Sequence, residues 1–210
     1  MIRWALLITI ALLARCAVAQ TSDAAPQLLL DNDFVRVSRI TIAPNGALDL
    51  DEKSDAVLVR LSDETAKFLP KGTPVHDANT GQQDIVDLVV GLKKHWAPAV
   101  HSCAAPAQCT HETKVGHDPI AWSTTLFTNG FLTAVTHKLV ESGTLTSSYY
   151  TAKGSDKILV IPFTDLQANF GGNEGKLKAG EPYFTDGTEV EVEAASGESR
   201  WLVLRINAKP

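Results

Sequence analysis

From Val35 to Ile42, apolar side chains at 35, 37, 40 and 42 are separated by Arg36, Ser38, Arg39 and Thr41. Near-alternation of this kind fits a half-buried β-strand, because successive strand side chains point to opposite faces. Pro44-Asn45-Gly46 follows as a turn signal. Positions 57–61 form an apolar run between polar clusters, Pro70-Lys71-Gly72 marks another turn, and 85–90 reads as a strand interrupted by Asp87. The second half continues in the same manner, with strand-like segments at 124–127, 131–140, 158–161, 176–184 and 201–206. Gly171-Gly172-Asn173-Glu174-Gly175 reads as a hairpin turn, and Val190-Glu191-Val192-Glu193 alternates strictly. No segment carries a helical apolar stripe of three turns. Short strands with Gly or Pro turns at roughly 8–12-residue spacing predict an all-β barrel or sandwich.

The pattern occurs twice. Asn32-Asp33-Phe34-Val35 runs on to Gly46, and Asn129-Gly130-Phe131-Leu132 runs on to Gly143, 97 residues later. In both copies the Asn precedes the Phe by two positions and the turn Gly follows it by twelve. Positions 57–68 echo 158–170 with one extra residue in the second copy. A repeat of this length built from strand-like segments predicts a duplicated β domain.

The start of the chain changes the picture. Arg3, an apolar run at 4–13 and Ala17-Val18-Ala19 have the layout of a secretory leader ending at Ala19. The run is about half the ~20 residues a membrane span needs. The expected layout is a leader at 1–19, a flexible lead-in at 20–26, a first unit at 27–102, a connection at 103–120 and a second unit at 121–210. The chain has 19 Lys and Arg against 24 Asp and Glu. Loss of Arg3 and Arg15 with the leader makes it more acidic still, which argues against nucleic acid and anionic membranes as partners. Cys16 leaves with the leader, so Cys103 and Cys109 remain as an even pair in an oxidising compartment, and a disulfide is expected. The aperiodic stretch 97–120, with both cysteines and three of the six histidines, reads as a long connection stapled by that bond. A zinc site from His101, Cys103, Cys109, His111 and His117 is the competing reading, but the Cys-x5-Cys spacing fits no common zinc knuckle.

Lys178-Ala179-Gly180-Glu181-Pro182-Tyr183-Phe184-Thr185-Asp186-Gly187-Thr188, together with 131–143 and 158–170, resembles the cupin family of double-stranded β-helix barrels. The stretch looks like the family's second motif, with Asp186-Gly187 standing in the P-x-G-T turn and the Pro missing. In the first unit, Gly91 and Trp96-Ala97-Pro98-Ala99-Val100-His101 look like the same motif. Pro70-Lys71-Gly72-Thr73-Pro74 is a second candidate for that turn, set aside in favour of an equivalence with Gly171-Gly172. The resemblance covers nearly the whole chain after the leader and implies a bicupin, two jelly-roll barrels in tandem.

Metal-binding cupins hold Mn, Fe, Ni, Cu or Zn with three His and a Glu. Two of these come from an H-x-H on one strand, whose spacing sends both imidazoles into one cavity. Laying that motif on Gly46 gives Glu52 and Ser54; laying it on Gly143 gives Tyr149 and Thr151. The third His position maps to His101 in the first unit and Val190 in the second. The resemblance therefore implies two barrels without their usual metal and with no cofactor. Glu52, Ser54, His101, Tyr149, Thr151 and Val190 are the candidate cavity-lining residues, and no catalytic residue is assigned. The expected partners are a small organic ligand and a second copy of the chain in a homodimer. The alternative is an enzyme using Glu52 and His101, either a metal-independent isomerase with the two as an acid–base pair or a weakly metal-dependent cupin with the two as ligands.

Overall fold

The computed structural model describes residues 25–51, 53–94, 100–105, 108–115, 118–140, 157–187, 190–193 and 197–206, with backbone alone at 114–115, 118–120 and 193. The leader and the candidates Glu52, Tyr149 and Thr151 lie outside them. All regular structure in the described residues is β, apart from one residue of 3₁₀ turn.

The first half contains β1 (Gln27–Asp31), β2 (Val35–Ile42), β3 (Ala47–Asp51), β4 (Ala56–Arg60), β5 (Thr65–Leu69), β6 (Pro74–Ala78) and β7 (Ile85–Leu92). They form a five-stranded sheet in the order β1-β2-β7-β4-β5 and a two-stranded sheet β3-β6. The second half contains β10 (Asp118–Thr128), β11 (Leu132–Val140), β12 (Lys157–Pro162), β13 (Leu166–Phe170), β14 (Asn173–Leu177), β15 (Tyr183–Asp186), β16 (Val190–Glu193) and β17 (Glu198–Ile206). Its large sheet runs β15-β12-β17-β11-β10, and β14-β13-β16 forms the small one. The two strand orders correspond: β1, β2, β7, β4 and β5 follow one another as β10, β11, β17, β12 and β15 do. The β13–β14 hairpin is an addition peculiar to the second half. Its turn, Gly171-Gly172, has φ of 58° and 95°. A two-residue hairpin of this kind needs positive φ at both positions, which glycine adopts without strain.

Each large sheet buries both faces. One face of β2, β4 and β7 places Val35, Val37, Val57, Val59, Leu88 and Val90 against Leu132, Leu159, Ile161, Leu202, Leu204 and Ile206 of the second half. The opposite faces line two separate interiors. In the first, Ile40, Ile42, Ala56, Leu69 and Val89 meet Leu48 and Leu50 of the small sheet. In the second, Leu139, Ile158, Val160 and Trp201 meet Leu166, Val190 and Val192.

The repeated Asn has a physical role. Asn32 Oδ1 accepts from the N–H of Phe34 (2.8 Å) and of Val35 (3.0 Å). Asn129 Oδ1 accepts from Phe131 (3.0 Å) and Leu132 (2.7 Å). Each amide thus closes the turn that leads into β2 or into β11.

The segment 103–120 departs from the expected irregular connection. It holds β9 (Thr110–Val115) and, just before it, β8 (His101–Ser102), both paired with β10. The two short strands lie on the same edge of β10 and run in the same direction. Between them Cys103 N–H donates to Leu126 O (3.0 Å) and Thr125 N–H to Cys109 O (3.1 Å), and Cys103 and Cys109 form a disulfide with Cα atoms 6.4 Å apart. The strands were hidden because Thr, His, Glu and Lys on an edge strand do not alternate with apolar residues.

The two interiors carry different polar groups. Asp87 does not interrupt β7; it is fully buried inside the first unit. Arg60 Nε and Nη2 donate to its two carboxylate oxygens at 3.1 and 3.0 Å, and Nη2 also meets Asp77. The Asp87 bond, opposed by burial and helped by Asp77, holds the guanidinium proton more tightly than usual. Arg60 and Asp87 are cross-strand partners; Pro162 and Trp201 are the corresponding partners in the second unit. There, Trp201 stacks on His137 (centroids 5.2 Å apart), whose Nδ1 lies 2.9 Å from Ser123 Oγ. Burial, with a smaller effect of the Arg205 charge, pushes His137 down to about 4.

Three outcomes follow for unfolding experiments. Asn32→Ala and Asn129→Ala should each lose about 1–2 kcal/mol in urea titration, because two backbone donors lose their acceptor. Asp87→Ala should cost about 3 kcal/mol, the lower end for a broken buried pair since Arg60 keeps Asp77, and Arg60→Met with Asp87→Leu should recover most of it. For His137, neither state binds the proton above the unfolded value of about 6.5, so its stability is fully present there. Between about 6.5 and 4 only the unfolded chain binds it, so stability falls as pH falls, by about 3 kcal/mol once both states are protonated. His137→Phe should lose that much less between pH 7 and pH 3.5 in the same measurement.

Candidate functional site

The interior of the first unit is open at one end. A cavity of about 700 Å³ lies between the large sheet and the segment that joins β3 to β4. Alternation along β2 sends Arg36, Ser38 and Ile40 into it, and β7 contributes Val89 and Gly91. Leu50, Asp51, Lys53 and Ser54 close the other side. Ile40, Leu50 and Val89 make an apolar floor, while Arg36, Asp51, Lys53 and Lys93 stand exposed at the rim. Lys93 Nζ bonds Asp31 Oδ1 at 2.6 Å, and that bond holds the Asp31 carboxyl below its ordinary range.

Gly91 keeps this mouth open. It pairs with Arg36 on one side and Ala56 on the other. A Cβ built there would meet nothing closer than Arg36 O and Ser54 Oγ, both at 3.7 Å. A side chain would therefore fit and would project into the space. The second unit tests this within the same molecule. Arg205, paired with Thr133 and Ile158, takes the place of Gly91. The mouth that is empty at Gly91 carries a long side chain at the equivalent position.

The candidates from the sequence are dispersed. Ser54 lines the cavity. His101 does not: it is exposed on β8, paired with Thr128 at the edge of the other unit's large sheet. Val190 is fully buried in the second interior. The topology also settles the motif register in the first unit. Pro70-Lys71-Gly72-Thr73 lies between β5 and β6 as Gly187 lies between β15 and β16, and Gly72 and Gly187 share a φ of 75°. Pro70 to Thr73 is thus the counterpart of the second motif, and Val75 rather than His101 stands where Val190 does. Gly91, Arg36 and Lys53 were missed. Carrying the repeat as far as the closing strand, where Gly91 faces Arg205, was the signal that would have found them.

The described residues at the ligand-type positions do not fit a transition metal. The ligand-type positions that are described carry Ser54, Val75 and Val190, which offer one hydroxyl and no imidazole or carboxylate. Among the described residues no group of three or more His, Cys, Asp or Glu side chains could hold a metal ion. Other histidines are engaged differently: His76 pairs with Asp49 at 2.6 Å on the exposed face of β3 and β6, which raises its pKa. His137 is enclosed with Ser123 and Trp201 in the second interior.

No family model matches the chain, and no curated protein matches it. Solved structures do. A cupin 2 conserved barrel domain protein from Leptotrichia buccalis aligns with TM-score 0.53 and 13% identity over 90% of this chain and 91% of its own. Procruciferin, an 11S globulin from Brassica napus, aligns with TM-score 0.58 and 10% identity over 92% and 86%. A salicylate 1,2-dioxygenase from Pseudaminobacter salicylatoxidans aligns with TM-score 0.54 and 9% identity over 88% and 77%. Proteins of such different kinds share a framework and not a chemistry, and at these identities the likeness is one of fold. The all-β architecture and these neighbours together show that this chain carries the cupin fold.

Proposed function

We propose that this protein is an exported bicupin that binds a small organic molecule, without a metal, in the cavity of its first unit. The observation that carries the reading is the open mouth at Gly91, beside Arg205 at the equivalent position of the second unit. A pocket of about 700 Å³ with an apolar floor and a few polar groups is what small-ligand sites look like. Export is supported by the leader-like start at 1–19 and by the disulfide. The cupin-fold neighbours include a protein named as a dioxygenase and one named as a globulin, so the fold is compatible with either turnover or plain binding. Binding is favoured because Ser54, Val75 and Val190, the described residues at the ligand-type positions, are poor metal donors. The isomerase reading needs Glu52 and His101 in one pocket, and His101 does not line this one.

Gly91→Val is the decisive variant. Valine suits a strand, and the position has room for a Cβ, so stability should stay within about 1 kcal/mol of the parent. Native mass spectrometry of the exported protein should show a small-molecule adduct that Gly91→Val lacks. An adduct retained by the variant, or a stoichiometric transition metal on the parent, would overturn the reading.

A further inference from the structure

We infer that the ligand is a small monocarboxylic acid with an apolar body, held as its anion with the carboxylate on Arg36. This rests on the reading of the Gly91 cavity as a ligand site and adds the chemical class.

Floor and rim of the cavity differ in character. Ile40, Leu50 and Val89 offer only hydrocarbon below. Above them stand three cations, Arg36, Lys53 and Lys93, against one carboxylate, Asp51. Lys93 is already neutralised by Asp31. The described rim, Asp31 included, is therefore left with one positive charge, on a chain whose formal net charge is −5. Among the described rim residues this excess of one cation favours a monoanion. A second carboxylate on the ligand would find no cation to spare and would stand near Asp51.

Among the cations, Arg36 is the anchor. It projects from β2 at the rim, across from Asp31, whose carboxylate feels its charge but bonds Lys93, and it makes no ion pair within 4 Å among the described residues, whereas Arg39, Arg60 and Arg200 are each tied down by Gly180 O, by Asp87 and Asp77, and by Glu64 and Glu198. A guanidinium presents two parallel donors that match a carboxylate, and such a bidentate pair is stronger than one between neutral groups. Ser38, one alternation further along the same strand, places a hydroxyl between the anchor and the apolar floor. The sequence of groups from rim to floor is guanidinium, hydroxyl, hydrocarbon, which is the complement of an acid with an alkyl or aryl tail.

The test is isothermal titration of the full exported protein at low salt with straight-chain acids from acetate to octanoate and with their primary amides. The amides keep the shape and lose the charge. The acids should bind more tightly as the chain grows, and each amide should bind about tenfold or more weakly than its acid. Arg36→Met, which keeps the stem, should weaken the acids by a similar factor and leave the amides unchanged. Gly91→Val should abolish both. Equal affinity for acid and amide, or an Arg36→Met effect common to both, would overturn the ligand class while leaving the cavity reading in place. Failure of every acid in the series to bind the parent would also overturn the class; the cavity reading then stands or falls on the adduct measured by native mass spectrometry with Gly91→Val.

Discussion

The structure depends on one constraint: neither large sheet can leave its second face in water. Val35, Val37, Val57, Val59, Leu88 and Val90 form a wholly apolar patch on one sheet, and Leu132, Leu159, Ile161, Leu202, Leu204 and Ile206 form its complement on the other. Burying one Val, Leu or Ile side chain contributes about 1.5–3 kcal/mol, so this seam is worth far more than the few polar contacts that cross it, such as Arg39 to Gly180 O at 2.8 Å. A unit of this size alone would expose the patch and would have too little core to compensate. The pairing of two copies follows from the sheets being apolar on both faces, and it explains the continuous apolar runs at 57–59, 158–161 and 201–204, which a strand with one wet face would not show.

With the seam fixed, the two interiors were free to diverge. Equivalent strand positions carry an ion pair in one copy and a proline with a tryptophan in the other. The first solution needs Arg60, Asp87 and Asp77 to satisfy one another in a low-dielectric space, while the second fills the volume with an indole ring and seals a neutral imidazole beside it. The mouths diverged in the same way, to Gly91 in one copy and Arg205 in the other. Among the described residues, Trp201 and His137 fill one interior, and the other opens beside Gly91.

The fold was legible because it rests on the alternation of side chains and on turn chemistry. Val35 to Ile42, the Asn32 and Asn129 turns and the Gly171-Gly172 hairpin are all local signals, and each appears in the structure where its residues place it. The edge strands β8 and β9 were not legible, since a strand that pairs on one side and faces water needs no apolar periodicity. The candidate site was harder still. Its one sequence-derived member among the lining residues is Ser54. The rest depends on which residues of β2 and β7 face inward and on the absence of a side chain at Gly91, and an absence has no motif. His101 was drawn into the first unit by its distance from Gly91 along the chain, whereas hydrogen bonding commits it to β10.

The loop at 103–109 has a meaning of its own. It leaves the edge of β10 and rejoins the same edge, so the ladder on either side does not depend on how many residues lie within it. The disulfide closes the excursion at its base. Such a side branch is uncoupled from strand register, and its length and composition can drift without shifting a single partner of β9. It is the point on this molecule where a new segment could be grafted by evolution, or by an engineer, with the framework unaware of the change.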